Sequence, residues 1–108
     1  EASKVSFLLH KKDIPFIKES LDYAEMGLVP AGAHENRKFQ EEKVLFKGID
    51  TAFQDILFDP QSSGGLLYSV PKEEKDAVLE AIEKAGLPTR FSCIGEVVEF
   101  SEKNIFVD

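Results

Sequence analysis

Seven consecutive residues, Asp59-Pro60-Gln61-Ser62-Ser63-Gly64-Gly65, bring together a carboxylate, an amide, two hydroxyls and two glycines. Groups of these types can hold an anion, because glycine-flanked backbone N–H groups and hydroxyls point donors at phosphate oxygens. They can equally build a tight turn, since proline fixes φ and glycine permits positive φ and close backbone approach. The apolar patterning leads from a helix into a strand here. A phosphate loop of the familiar kind leads from a strand into a helix, so the field of a helix N-terminus is absent. Asp59 has two readings: an Asx-turn residue satisfying backbone N–H groups, or a carboxylate reaching Mg²⁺ through water. Gln61 either hydrogen-bonds a substrate or satisfies its own loop.

A second set of polar residues follows the loop 27–33. Asn36 is expected to cap a helix, the alternative being a reach across to the 59–65 run. His34-Glu35 is not part of a His-Glu-x-x-His zinc motif, because Lys38 holds the required position. His10 stands beside Lys11 and reads as a solvated strand end. Cys93 lies in an apolar run, with no basic neighbour to stabilise a thiolate, and reads as a packed core thiol.

The elements that must position these groups follow from periodicity. Lys4 to His10 reads as a strand buried on both faces. Asp13-Ile14-Pro15 opens a helix with Asp13 as N-cap, its buried stripe being Ile14, Ile17, Leu21 and Ala24. Gly27 suits a left-handed C-terminal residue. Residues 27–33 form a loop and 34–42 a short exposed helix, while Val44-Leu45-Phe46 stays open between strand and extended loop. Thr51-Ala52-Phe53-Gln54 has the capping-box pattern and starts a helix through Leu57 that buries Phe53, Ile56 and Leu57. Leu66 to Val70 is expected to be a strand. Pro71 then starts a helix to Ala85 with a stripe of Val78, Ala81, Ile82 and Ala85 and an exposed Glu80–Lys84 pair. Phe91 to Phe100 and Ile105 to Val107 close the chain as a hairpin of two strands. Interleaved strands and helices indicate an α/β or α+β sandwich.

Composition sets the outer bounds. A chain of 108 residues fits one domain, residues 1–108, able to bury on the order of two thirds of its extended surface. A net charge of −7 argues against a nucleic-acid partner, which needs clustered Lys and Arg. One cysteine precludes an intramolecular disulfide and fits a reducing cytoplasm. No apolar run reaches membrane-spanning length. The chain starts at Glu1 without an initiator Met, which leads us to expect a segment of something longer.

The run Asp59-Pro60-Gln61-Ser62-Ser63-Gly64-Gly65-Leu66-Leu67 closely resembles the Asp-Pro-Gln-Thr-Ser-Gly-Gly-Leu-Leu segment of selenophosphate synthetases (selenide, water dikinases). Gly27-Leu28-Val29-Pro30-Ala31-Gly32-Ala33-His34-Glu35-Asn36 resembles the family's Gly-x-x-Pro-Gly-Gly-x-x-x-Asn segment, and Cys93-Ile94-Gly95-Glu96-Val97 follows in family order. The likeness runs from about Phe7 to Val98 and falls on the carboxy-terminal domain alone. Ser62 replaces a threonine and keeps the hydroxyl. Ala31 replaces a glycine and puts any positive-φ role there in doubt. The resemblance implies a purine-biosynthesis-synthetase-like carboxy-terminal fold, a mixed sheet with packed helices and partial ferredoxin-like topology. It implies a parent enzyme that converts ATP, selenide and water into selenophosphate, AMP and phosphate. The reactive Cys or selenocysteine, the Mg²⁺ and most contacts to ATP then belong to an amino-terminal domain through which the parent dimerises. The segment alone is expected to be inactive, with Asp59, Gln61, Ser62, Ser63, Gly64, Gly65 and Asn36 facing the cleft. Rival readings are the equivalent domain of an aminoimidazole ribonucleotide synthetase or thiamine-phosphate kinase, and a stand-alone regulatory or dimerisation module.

Overall fold

The computed structural model describes residues 3–61 and 65–108. Its framework is a four-stranded mixed sheet of β1 (Val5–Leu9), β2 (Val44–Phe46), β3 (Gly95–Glu99) and β4 (Ile105–Val107), in the order β2-β4-β1-β3. Strand β4 runs parallel to both β1 and β2, whereas β3 is antiparallel to β1. The final two strands therefore do not form the expected hairpin, because β1 lies between them. The helices are α1 (Lys18–Glu25), α2 (Ala31–Gln40), α3 (Thr51–Leu57) and α4 (Lys75–Lys84). The fold is α+β, with a mixed sheet.

The sheet alternates side chains between its faces, so one face collects Val44 and Phe46, Ile105 and Val107, and Leu9. Against it pack Phe53, Ile56 and Leu57 of α3 and Leu21 of α1, around the buried residues Ile49, Phe53 and Val107. The rings of Phe16 and Phe53 meet edge to face at 5.2 Å. Strand β1 is central but only half-buried apart from Ser6, so its two-sided burial is not realised. Ser6 is fully buried because its hydroxyl is fully used: it donates to the Lys103 carbonyl at 2.6 Å and accepts from the Ser101 N–H at 3.1 Å.

Several expectations fail for identifiable reasons. The first helix starts at Lys18, not Asp13, and Ile17 holds the N-cap position. Asp13 instead ends a short 3₁₀ turn, Lys11–Asp13, after which Ile14 is extended and packs on the core. Ile17 is left 72 % exposed. The second helix begins at Ala31, three residues early, behind Pro30. Asp50, not Thr51, takes the N-cap position of α3, and no side-chain cap bond forms. Leu66 to Val70 is not a strand: these residues are irregular, with Leu66 81 % and Leu67 71 % exposed. The α4 stripe does not bury either; Val78 and Ile82 are half-buried, and Ala81 and Ala85 are exposed. The Glu80–Lys84 pair forms at 2.8 Å. Cys93 is exposed and precedes β3, contrary to the core assignment. Gly27 has the expected positive φ, 79°. Among the described residues no helix is long and apolar enough to cross a membrane.

Candidate functional site

The polar run begins where α3 ends. Phe58 closes the helix, its N–H bonding the Gln54 and Asp55 carbonyls at 3.2 Å each. The Asp59 N–H then reaches the Ile56 carbonyl at 3.1 Å, and the Gln61 N–H reaches the Asp59 carbonyl at 2.9 Å. These bonds turn the chain sharply out of the helix. Asp59 is half-buried, and Pro60 and Gln61 are exposed. Among the described residues the Asp59 carboxylate accepts no hydrogen bond, so its Asx-turn reading is not realised there. Ser62, Ser63 and Gly64 lie outside the described residues.

Helix α2 is the buttress of this turn. Asn36 sits in its middle, too far inside to cap it, and its amide donates to the Phe58 carbonyl at 2.8 Å. The expected capping role is not realised, and the bond goes instead to the residue just before the run. Arg37, the next residue, donates to Gln54 Oε1 at 2.9 Å and to Asp55 Oδ1 at 2.7 Å. Its guanidinium lies 5.1 Å from the centroid of the Phe58 ring. Phe58 is held by its carbonyl from Asn36, by one ring face from Arg37, and by an edge-to-face contact with Phe46 at 5.8 Å. Gln54 completes the network by donating to the Ile49 carbonyl at 2.8 Å. Charge-assisted bonds that are mostly shielded from water stabilise by more than neutral ones, and the Arg37 and Asp55 side chains are 22 % and 15 % exposed.

The two glycine segments also meet. A Cβ on Gly32 would lie 2.7 Å from Pro60 Cγ and 3.2 Å from Pro60 Cβ. Only a glycine in the first turn of α2 lets the helix lie this close to the proline ring. Ala31, the departure from the family pattern, is a helical residue in a helix that starts there, so no positive φ is asked of it. At Gly65 φ is not in the left-handed region, and among the described residues a Cβ there would meet nothing within 4 Å. Gly95 is the opposite case, because a Cβ there would land on the Leu8 carbonyl where β3 pairs with β1.

Of the residues nominated from sequence, the structure brings Asn36 and Asp59 to one corner, with Gln61 at its outer edge. Arg37, Gly32 and Gln54 were missed as supports of that corner. Gly32 had a signal, being part of the Pro-Ala-Gly segment, but nothing in the sequence says it faces Pro60. Arg37 and its partners are 17 and 18 positions apart, a spacing without periodic meaning. Among the described residues no three His, Cys, Asp or Glu side chains converge as a metal site.

Comparison with known proteins identifies the family of the chain. The family model for the C-terminal domain of AIR synthase related proteins matches residues 1–108. Among similar curated proteins, selenide, water dikinase 2 of Peptoclostridium acidaminophilum is 39 % identical over 107 residues, covering 99 % of this chain and 30 % of the relative. A selenide, water dikinase of Treponema denticola is 41 % identical over 85 residues, 79 % of this chain and 24 % of its own length. That of Clostridioides difficile is 39 % identical over 108 residues, 99 % of this chain and 31 % of its own length. The chain thus spans about a third or less of the curated relatives it matches. With its full length matched, and the mixed sheet and helices in place, the chain belongs to the AIR synthase related protein C-terminal domain family.

Proposed function

We propose that this chain is the carboxy-terminal domain, residues 1–108, of a selenophosphate synthetase. The parent takes ATP, selenide and water to selenophosphate, AMP and phosphate, works in the cytoplasm and assembles as a homodimer through its amino-terminal ATP-binding domain. The observation that carries this reading is the coincidence of the Asp59–Leu67 signature with curated relatives named selenide, water dikinase, matched on about 30 % of their length. In this reading Mg²⁺ and most contacts to ATP belong to the amino-terminal part of the parent, as the resemblance implies.

In this reading the segment closes one side of the cleft. The turn at Asp59, fixed by Asn36 and Gly32, carries Gln61, Ser62, Ser63, Gly64 and Gly65 toward the ATP-binding domain. Their N–H and hydroxyl groups donate to phosphate or selenium oxyanions, and the closed loop excludes water. Fixed donors placed where charge develops are a principal source of phosphoryl-transfer rate enhancement. An interdomain surface is also supported by Leu66, Leu67 and Tyr68, three consecutive exposed apolar residues directly after the run, because exposed apolar surface of this kind marks an interaction site.

Phosphorus NMR of ATP, Mg²⁺ and selenide tests the reading, with the full-length parent and the segment incubated separately. Selenophosphate and AMP from the parent, with none from the segment, are expected. A competent parent that made no selenophosphate would overturn the assignment. Product from the segment alone would overturn the division of labour.

A further inference from the structure

The three parallel strands β2, β4 and β1 all end at one rim of the sheet. Gly48 follows β2 by two residues, Asp108 follows β4, and His10, Lys11 and Lys12 follow β1. Backbone bonds tie this rim together, from Lys11 N–H to the Asp108 carbonyl at 2.8 Å and from Asp108 N–H to the Leu9 carbonyl at 3.1 Å. Outside it lies an open cavity of about 590 Å³ that includes the three basic residues, with Phe53 and Phe16 beneath. In open α/β sheets, the crevice outside the carboxyl ends of the strands is where ligands bind, and the volume lies within the small-molecule range.

The charges around the cavity are mainly positive. Lys11 Nζ stands 5.0 Å from the centroid of the Phe53 ring, and that residue is 1 % exposed. An apolar floor weakens solvent screening of the ammonium above it. Neither Lys11 nor Lys12 has a carboxylate partner among the described residues. The one acid in the lining, Asp108, is engaged by His10, Nδ1 to Oδ1 at 2.8 Å. An adjoining concavity of about 660 Å³ shares Lys12 and Phe16 and adds Lys18 and Arg90 against Asp13. Four of the chain's 13 Lys and Arg residues gather here against two of its 20 acids, which reverses the sign of an otherwise acidic surface.

We propose that the cavity at the carboxyl ends of β1, β4 and β2 binds an oxyanion of the phosphate class, held by Lys11 and Lys12. This site is at the opposite end of α3 from Asp59, goes beyond the cleft role and does not rest on it. The lysines supply charge-assisted hydrogen bonds, the strongest kind available to a phosphate. The anion comes either as inorganic phosphate or as the phosphate of a monoester.

Equilibrium dialysis of the full-length protein with labelled inorganic phosphate, and separately with labelled glycerol phosphate, tests this at constant ionic strength. The Lys11→Gln/Lys12→Gln protein is expected to lose one bound phosphate per chain, or to bind it at least tenfold more weakly. The Lys11→Arg/Lys12→Arg protein should retain it. The arm that saturates at the lower concentration identifies the source. Unchanged stoichiometry and affinity in the glutamine variant would overturn the proposal. Should that variant fail to fold, amide resonances of residues 10–12 in the unaltered protein decide: they shift with phosphate if the site exists and stay fixed against chloride alone if it does not.

Discussion

Replacing Gly32 with alanine tests how α2 supports the loop. The added methyl would lie 2.7 Å from Pro60 Cγ, whereas ordinary contact begins near 3.4 Å, so Pro60 must retreat by about 0.7 Å. The pyrrolidine ring cannot rotate away as a flexible side chain would. Its neighbours are also fixed, Phe58 through Asn36 and Asp59 through the Ile56 carbonyl. Overpacking of this kind costs about 1–3 kcal/mol. Alanine in the helix returns about 0.5–1 kcal/mol, leaving a net loss of roughly 0–2.5 kcal/mol. For a domain of this size each kcal/mol corresponds to a fall of about 4–8 °C in melting temperature. Thermal denaturation followed by circular dichroism reads that fall. Turnover of the full-length enzyme should fall further than the loss of folded protein explains, because the retreat displaces the Asp59 turn. A higher melting temperature with full turnover would refute the contact and the buttress together. A double-mutant cycle with Pro60→Ala isolates the coupling, which should be close to zero if the two residues do not touch.

Two further substitutions examine other supports. Asn36→Ala removes the donor to the Phe58 carbonyl and should cost about 0.5–1.5 kcal/mol in chemical denaturation, with no change if the bond is absent in solution. Gly95→Ala places a methyl on the Leu8 carbonyl and should separate β3 from β1, with loss of more than about 2 kcal/mol expected from strain and lost pairing. Amide exchange in Val5–Leu9 reports the separation directly.

Some local signals in the sequence were read correctly, although the caps of α1 and α3 were not. Helix α3 has a dense apolar face, Gly27 has no competitor for a positive φ, and the Glu80–Lys84 pair needs only helical spacing. Errors arise where a residue's fate is tertiary. Ile14 has helical spacing with Ile17 and Leu21 but serves as an extended anchor on the core. Leu66 to Val70 has strand composition, yet composition does not supply a neighbouring strand. The order of β3 and β4 around β1 depends on long-range pairing that no local pattern encodes. At the candidate site, residue types pointed to Asn36 and Asp59, but the closeness of Gly32 to Pro60 is a property of two packed elements.

Gly65→Val in the full-length enzyme is the most direct test of the cleft role. Among the described residues the substitution meets nothing within 4 Å and lies at an ordinary φ, so the melting temperature should change by no more than about 1–2 °C, the scale of a surface substitution of ±0.5 kcal/mol in a longer chain. Selenophosphate formation should nevertheless fall at least tenfold, about 1.4 kcal/mol of transition-state stabilisation. Unchanged turnover, or a loss of turnover that only parallels loss of folded protein, would contradict the placement of this loop in the cleft.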